Sequence, residues 1–145
     1  MVSNTWFSEI ESTIFTLLQY LLAEKSDAPF PRLTCTTSSQ NETVSGVGLF
    51  PTLYVHMLPP IEVGNDLDNV SVNAIRATFD LQVYSNKSEV EARKIMDACI
   101  MEMKKLRFNV SMFPDPQTTN GVYYCIARFT RVIGSGDAEI VPQIE

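Results

Sequence analysis

The residues of this sequence that could do chemistry are few and scattered. His56 is the single histidine in a chain of 145 residues, and it falls in a run typical of a β-strand. Nucleophilic catalysis needs a serine or cysteine beside a base that a third group orients. A lone strand histidine is far more often a packed or surface residue than a catalyst. We therefore expect no catalytic residues.

Three carboxylates, Glu62, Asp66 and Asp68, cluster in a segment rich in turn-forming residues. Paired carboxylates can act as general acid and base, and closely spaced aspartates can bind calcium. The Asp-Leu-Asp triplet lacks the rest of an EF-hand loop, however, and such clusters are mostly solvated loop surface. The sequence therefore predicts neither catalysis nor metal binding here.

The cysteines and glycines give no cofactor site. Cys35, Cys99 and Cys125 are an odd number without a CxxC pair, which favours a reducing compartment over a disulfide framework. Zinc ligation would need further cysteine or histidine ligands at suitable spacing. Two short glycine pairs, at 46/48 and 134/136, lack the lysine and following helix of a phosphate-binding loop. We expect no cofactor.

Composition indicates one globular domain spanning 1–145. Hydrophobic residues make up 45% of the chain and charged residues 19%, and the formal net charge is −6. The eleven Lys and Arg residues are scattered, which argues against tight nucleic-acid binding. Residues 1–10 lack the basic start of a signal peptide, and no apolar run approaches the roughly 18–20 residues of a membrane span. We expect no membrane partner.

The sequence predicts two amphipathic helices. The first covers residues 6–24. Ser3, Thr5 and Ser8 are all possible N-cap residues, with Ser8 and Glu11 also at capping-box spacing. The second begins at Ser88, where Glu91 gives the same spacing. Its apolar stripe consists of Ala92, Ile95, Met96, Cys99, Met103 and Leu106.

The predicted strands lie between and after these helices. Residues 49–58 are rich in β-forming side chains, and residues 77–84 alternate between apolar and polar, as a half-buried strand does. Residues 109–112 and 122–133 predict two strands of a wide hairpin, separated by the proline-containing stretch from Phe113 and a loop ending at Asn120-Gly121.

Three segments are predicted to lack regular structure or to form it only at an edge. Residues 34–48 are small and polar, typical of a mobile loop or an edge hairpin. Residues 61–73 predict a long exposed connection, and 137–145 a short C-terminal tail. The apolar side chains of that tail favour docking on a partner subunit as much as exposure to solvent.

These elements predict an α+β fold: an antiparallel sheet of four to five strands with two helices packed on one face. The opposite sheet face, carrying Tyr84 and polar neighbours, is left partly uncovered. A half-covered sheet often completes itself against another subunit.

Five strings, taken in their order and spacing, resemble the tail terminator, or tail completion, proteins of long-tailed phages and prophages. The similarity runs from about residue 50 to residue 137. The strings are Leu49–Val55, Val83–Ser88, Glu91–Asp97, Lys104–Phe108 and Ala127–Gly134.

The resemblance implies a non-enzymatic virion protein, made in the bacterial host cytoplasm and located at the tail–neck junction. Such subunits form a homo-oligomeric ring, usually a hexamer, which caps the major tail tube protein and stops tube growth. The ring also binds head-completion or neck proteins, and DNA passes through its lumen without specific binding. On this hypothesis Glu62, Asp66 and Asp68 face the lumen or an adjacent subunit.

Two other functions remain open at this point. A head-completion, or stopper, protein of the neck would lie one layer closer to the capsid. A small-molecule-binding regulatory α+β domain would instead hold its ligand at a dimer interface. An enzyme ranks behind both of these because the sequence offers no convergent catalytic set.

Overall fold

Two helices packed against a six-stranded sheet make up the part of the chain that the computed structural model describes, residues 6–36, 51–65, 72–119 and 121–134. The predicted α+β class is confirmed, and the sheet is mostly antiparallel. It has more strands than the four to five predicted, because two segments expected to be loops contribute strands.

The first helix follows the predicted span. A 3₁₀ turn (Trp6–Glu9) leads into α1 (Ile10–Gln19), which continues as a π-helical turn (Tyr20–Glu24). Its buried side chains recur every four residues and face the sheet. They are Ile10, Ile14, Leu18 and Leu22. The N-cap of α1 is Glu9, without a side-chain cap, and not Ser8, whereas Ser3 and Thr5 lie outside the described residues. The Glu11 carboxylate accepts the Met57 backbone amide.

The second helix, α2 (Glu89–Lys105), starts at the predicted N-cap. The Ser88 hydroxyl accepts the Glu91 amide at 3.1 Å, which is half of a capping box. The Glu91 carboxylate does not reach back to Ser88. It accepts a hydrogen bond of 2.6 Å from the buried Ser85 hydroxyl, whose oxygen in turn accepts the amides of Lys87 and Ser88 at 3.1 and 3.4 Å.

Six strands form one sheet in the order β1-β2-β4-β6-β5, and β3 also pairs with β4. Their bounds are β1 Thr34–Thr36, β2 Thr52–Met57, β3 Ile61–Asn65, β4 Val72–Ser85, β5 Asn109–Thr119 and β6 Val122–Gly134. The long strands β4 and β6 pair along 12 positions and form the centre of the sheet.

The prediction of one long loop over residues 61–73 is wrong at both of its ends. Ile61–Asn65 forms β3, and β4 already begins at Val72. The 14 residues of β4 extend beyond the end of β2, so the chain resumes pairing with β4 after Pro59 and Pro60. The pairing shifts by one residue between Met57↔Phe79 and Ile61↔Arg76, as it does at a β-bulge.

The wide hairpin predicted after α2 is in fact a tight one. β5 continues through Pro114 and Pro116 to Thr119, which pairs with Val122. Proline is tolerated in β5 because an outer strand needs hydrogen-bond donors on one side only. Register shifts occur on either side of Met112, and Pro114 lies within the second of them, whereas Pro116 pairs in regular register with Cys125.

The segment 34–48 begins with the edge strand β1, which runs parallel to β2. The prediction of a mobile loop or an edge hairpin for residues 34–48 is therefore described only over these first three residues. Residues 37–48 and the tail 137–145 lie outside the described residues.

The hydrophobic core lies between the helices and one sheet face. The alternation predicted for residues 77–84 is confirmed: Ala77, Phe79, Leu81 and Val83 are fully buried. Cys99 and Met103 of α2 pack in this core as predicted, and the Phe79 and Phe108 rings meet edge-on at 5.6 Å.

Candidate interaction surface

The sheet face turned away from the helices, hereafter the open face, bears side chains that alternate with the core residues along each strand. Residues that pair across neighbouring strands lie side by side and form rows on this face. These rows are Tyr54–Gln82–Ile126–Asp115, His56–Asp80–Arg128–Met112, Tyr84–Tyr124–Gln117, Thr78–Thr130–Asn109 and Ile61–Arg76–Val132. The buried side chains of both helices belong to the core on the other side of the sheet. The open face is not evenly exposed, because Thr52 and Tyr84, which pair in one row, are 0% and 7% exposed.

A cluster of three tyrosines occupies one end of the open face. The rings of Tyr84 and Tyr124 stack at 5.5 Å, and their hydroxyls donate to the side-chain oxygens of Gln82 and Gln117, each at 2.7 Å. Burial raises the pKa of Tyr84 to about 12, and the neighbouring Tyr124 and Tyr54 add to the shift. The Tyr84 phenol is therefore neutral at physiological pH.

An ion pair lies at the centre of the face. Arg128 donates hydrogen bonds to both carboxylate oxygens of Asp80, at 2.7 and 3.2 Å, and this bond and charge raise the pKa of Arg128. The Asp80 side chain is only 14% exposed, whereas that of Arg128 is 44% exposed. The geometry holds the guanidinium flat on the sheet with part of its surface available to a partner.

Exposed apolar side chains lie on the open face, Met112 in the row of the ion pair and Ile61 and Val132 two rows away from it. Ile61 is 62% exposed, Val132 49% and Met112 38%, and all three belong to the open face by strand pairing. Phe113, next to Met112 in the bulged part of β5, is 70% exposed. Exposed Met and aromatic side chains beside Tyr and Arg are the residue types enriched in protein–protein interfaces.

His56 lies in β2, as predicted, and is half-buried. Its ring stacks on Tyr54 at 5.8 Å, and its Nδ1 lies 3.7 Å from the Glu11 carboxylate. The same carboxylate oxygen accepts the Met57 backbone amide at 2.7 Å. β1 pairs only with residues 52–54, so Glu11 caps an edge amide of β2 that β1 does not reach. His56 and Glu11 thus join helix one to the sheet edge.

The three acidic residues predicted at an interface or lumen are described only in part. Glu62 is exposed on β3, where it pairs with Ile75, and so lies on the helix-covered side of the sheet. Asp66 and Asp68 lie outside the described residues. The structure therefore places only one of these three carboxylates.

No group of metal-binding side chains is found among the residues that the structure describes. In the same residues, neither helix has the length and apolarity needed to cross a membrane. Burial raises the pKa of the Cys35 thiol to about 12 and that of Cys125 to about 11. Burial raises the pKa of Cys99 further still. All three thiols are free, and at neutral pH they are protonated and poorly nucleophilic.

The sequence indicated an uncovered sheet face but not its composition. The alternation over residues 77–84 placed Tyr84 and its polar neighbours outward. The pairing of Asp80 with Arg128 joins positions 48 residues apart, and it follows from a register that the sequence alone does not fix. No protein-family model matches the chain, and no curated protein matches it significantly.

Proposed function

We propose that this chain is a structural subunit of a phage tail, which forms a ring that caps the tail tube and joins it to the neck. The six-fold symmetry of the ring, its tube and neck partners and its location in the virion come from the resemblance of the five strings. The open face is the observation on the molecule that supports the proposal.

The open face suits docking better than catalysis. It is broad, and its polar groups are already paired with one another: Asp80 with Arg128, and Tyr84 with Gln82. An enzyme active site usually presents convergent polar groups in a cleft to a substrate. Here tyrosine, arginine and exposed apolar groups occupy one sheet face, and these are residue types enriched at interfaces.

The first test is assembly on tail tubes. Purified chain should cap tubes of the tail tube protein of the phage or prophage that encodes it and stop their further growth. Electron microscopy should show an added ring at one tube end. In intact virions, labelled antibody should bind at the tail–neck junction. Label elsewhere in the virion, or tubes that grow to uncontrolled length with the chain present, would refute the proposal.

A pair of matched variants tests the open face. Val132→Glu places a charge in an exposed apolar position of this face, whereas Val90→Glu makes the same change at a position 59% exposed on α2. We expect Val132→Glu to lose attachment to its neighbours in the tail and Val90→Glu to keep it, with both variants folded. Normal capping by the Val132→Glu variant would exclude the open face as the docking surface.

A further inference from the structure

A cleft, hereafter the proline cleft, opens at the end of the sheet where β4 leads into α2. Its volume is about 380 Å³, within the ~300–1,000 Å³ typical of ligand clefts. Its apolar walls come from three parts of the chain: the connection between helix one and β1, the residue before β2, and α2. The residues are Pro29, Phe30, Pro31, Leu33, Pro51 and Ile95.

Backbone hydrogen bonds hold the walls of the proline cleft in place. The Phe30 amide donates to the Leu22 carbonyl at 2.9 Å, and the Leu33 amide donates to the Phe30 carbonyl at 3.0 Å. The Thr34 amide joins this connection to the Pro51 carbonyl, also at 3.0 Å. The prolines add stiffness, because their rings fix φ. The cleft is therefore preformed, which lowers the entropic cost of binding a partner.

Two cations line the proline cleft. Arg32 and Lys87 are both exposed, and neither side chain forms a hydrogen bond or ion pair with a described residue. Glu91 also lines the cleft, but its carboxylate accepts the 2.6 Å hydrogen bond from the Ser85 hydroxyl. The cleft therefore presents two available cations beside apolar walls, which suits a segment that is both acidic and apolar.

Segment 137–145 of the same sequence has this composition. It carries three carboxylates, four bulky apolar residues and no lysine or arginine. These residues are Asp137, Glu139, Glu145, Ile140, Val141, Pro142 and Ile144. Pro142 disfavours a helical backbone at the residue before it, so the sequence favours the extended form in which peptides enter grooves. Segment and cleft are thus complementary in charge and in apolar content.

The apolar part of this segment is too close to the end of β6 to reach the proline cleft of its own chain. Gly134, the last described residue before it, pairs with Ala74, whereas the cleft adjoins Ser85 at the other end of β4. From residue 74 to residue 85 the strand extends about 37 Å at ~3.4 Å per residue. Ile140 and Val141 follow Gly134 by six and seven residues, which span at most about 25 Å. The cleft that they fill must therefore belong to a second copy.

We propose that segment 137–145 of one copy of this chain binds the proline cleft of the next copy. Its apolar residues contact the proline walls, and its carboxylates face Arg32 and Lys87. This assignment rests on the proposed function for its ring and specifies how neighbouring subunits of that ring are joined. The contact joins different surfaces of identical subunits, and such contacts build rings when the rotation closes.

Mixed cross-linking tests whether the contact forms between copies. One variant carries Ile144→Cys and an affinity tag, and a second, untagged variant carries Lys87→Cys. Both also carry Cys35→Ser, which removes the half-buried native thiol. On mild oxidation the mixture should give the tagged–untagged disulfide dimer as its main product. A chain with both new cysteines should give a ladder of linked oligomers.

Lys105→Cys is the matched control for Lys87→Cys. Lys105 is 68% exposed at the opposite end of α2 and does not line the proline cleft. With Ile144→Cys as the partner, Lys87→Cys should give about tenfold more mixed dimer than the control, because binding raises the effective concentration of the two thiols. Equal yields overturn the contact.

Charge exchange between two chains tests the chemistry. The cleft variant combines Arg32→Glu with Lys87→Glu, and the segment variant combines Glu139→Lys with Glu145→Lys. Each variant alone should self-associate about tenfold more weakly than the unsubstituted chain, because like charges then face each other. An equimolar mixture should associate again, because each cleft then meets a segment of opposite charge on the other chain. Analytical ultracentrifugation measures both effects.

A third variant, Lys94→Glu with Lys105→Glu, is the control for charge alone. It changes the net charge as much as the cleft variant does, at exposed positions that do not line the cleft. It should associate as the unsubstituted chain does, and circular dichroism should show all the variants folded. Unchanged association of the cleft variant, no recovery in the mixture, or an unsubstituted chain that stays monomeric at every concentration overturns the proposal.

Failure of this contact and failure of the proposed function are distinguishable. The cross-linking and association measurements need no phage component, whereas capping and antibody labelling do. If mixed dimers form but the chain is absent from the tail–neck junction, the contact stands and the phage assignment falls. If tubes are capped but mixed dimers form no better than in the control, the function stands and this contact is wrong.

Discussion

Arg128 of β6 and Asp80 of β4 lie directly opposite each other, and the guanidinium donates to both carboxylate oxygens, at 2.7 and 3.2 Å. The pair is asymmetric, since the Asp80 side chain is 14% exposed and that of Arg128 44% exposed. The carboxylate is largely shielded from water, and the arginine donates to both of its oxygens. The arginine can still hydrogen-bond to solvent or to a partner.

Removing the arginine should therefore destabilise the fold more than an exposed ion pair would suggest. We expect Arg128→Ala to lower the free energy of unfolding by about 1 kcal/mol and Asp80→Asn to lower it by less. Urea unfolding of both single variants and the double variant measures their coupling, which should approach about 1 kcal/mol. Strictly additive effects would show that the pair contributes nothing to stability.

The Ser85 hydroxyl should contribute strongly to the start of α2. It is fully buried, donates to Glu91 at 2.6 Å, and accepts the amides of Lys87 and Ser88. Ser85→Ala leaves these partners without their hydrogen bonds, so we expect a loss of about 1 to 3 kcal/mol in the free energy of unfolding. The measurement is chemical denaturation followed by circular dichroism.

Ser88→Ala is the comparison for this site. It removes a single N-cap bond and should lower the free energy of unfolding by about 1 kcal/mol. A Ser85→Ala variant as stable as the wild type, with Ser88→Ala destabilised, would show that water replaces the Ser85 hydroxyl without loss.

The sequence predicted those elements whose signals are local. The apolar stripe of α2, its Ser88 cap and the alternation over residues 77–84 are visible in short windows, and the structure confirms all three. β3 was missed because nothing in Ile61–Asn65 resembles a strand. It forms because β4 extends past the residues that pair with β2, so its first residues are available to pair with β3. The signal for β3 therefore lies in the length of β4 and not in the residues of β3.

The candidate surface was predictable to a lesser degree. An uncovered face follows from two helices packing on one side of a sheet, and Tyr84 was placed on it correctly. The neighbours of Tyr84 on this face depend on the register between β4 and β6. Hydrophobic patterning does not fix that register, so it does not place Tyr124 or Arg128. The tight turn after β5 was missed because prolines normally end a strand, whereas an outer strand tolerates them.

The cysteines should make the fold sensitive to alkaline pH. Burial raises the pKa of Cys35 from 9.0 to about 12 and that of Cys125 from 9.0 to about 11. The folded chain therefore keeps these protons at pH values where the unfolded chain releases them. Their contribution to stability is complete below about pH 9 and is lost as the pH rises towards 11 and 12.

Urea midpoints measured from pH 8 to pH 10.5 should fall with rising pH, and Cys35→Ser should flatten that fall. At pH 8 a thiol-specific reagent should react slowly with the folded chain and rapidly with all three cysteines after denaturation. Slow reaction in the folded state should come mainly from Cys35, because Cys99 and Cys125 are fully buried. Rapid labelling of folded Cys35→Ser would contradict the burial of the other two.

Arg107 and Gly121 both adopt positive φ, at 69° and 79°, and substitutions there should change stability in opposite directions. Gly121 lies in the turn between β5 and β6, and a Cβ built on it has no neighbour within 4 Å. Gly121→Ala should therefore cost about 1 kcal/mol from backbone strain alone. Arg107→Gly removes comparable strain and should add about 0.5 to 1 kcal/mol. Thermal and urea unfolding of the two variants measure both effects, and a destabilised Arg107→Gly would mean that contacts of the arginine side chain outweigh its strain.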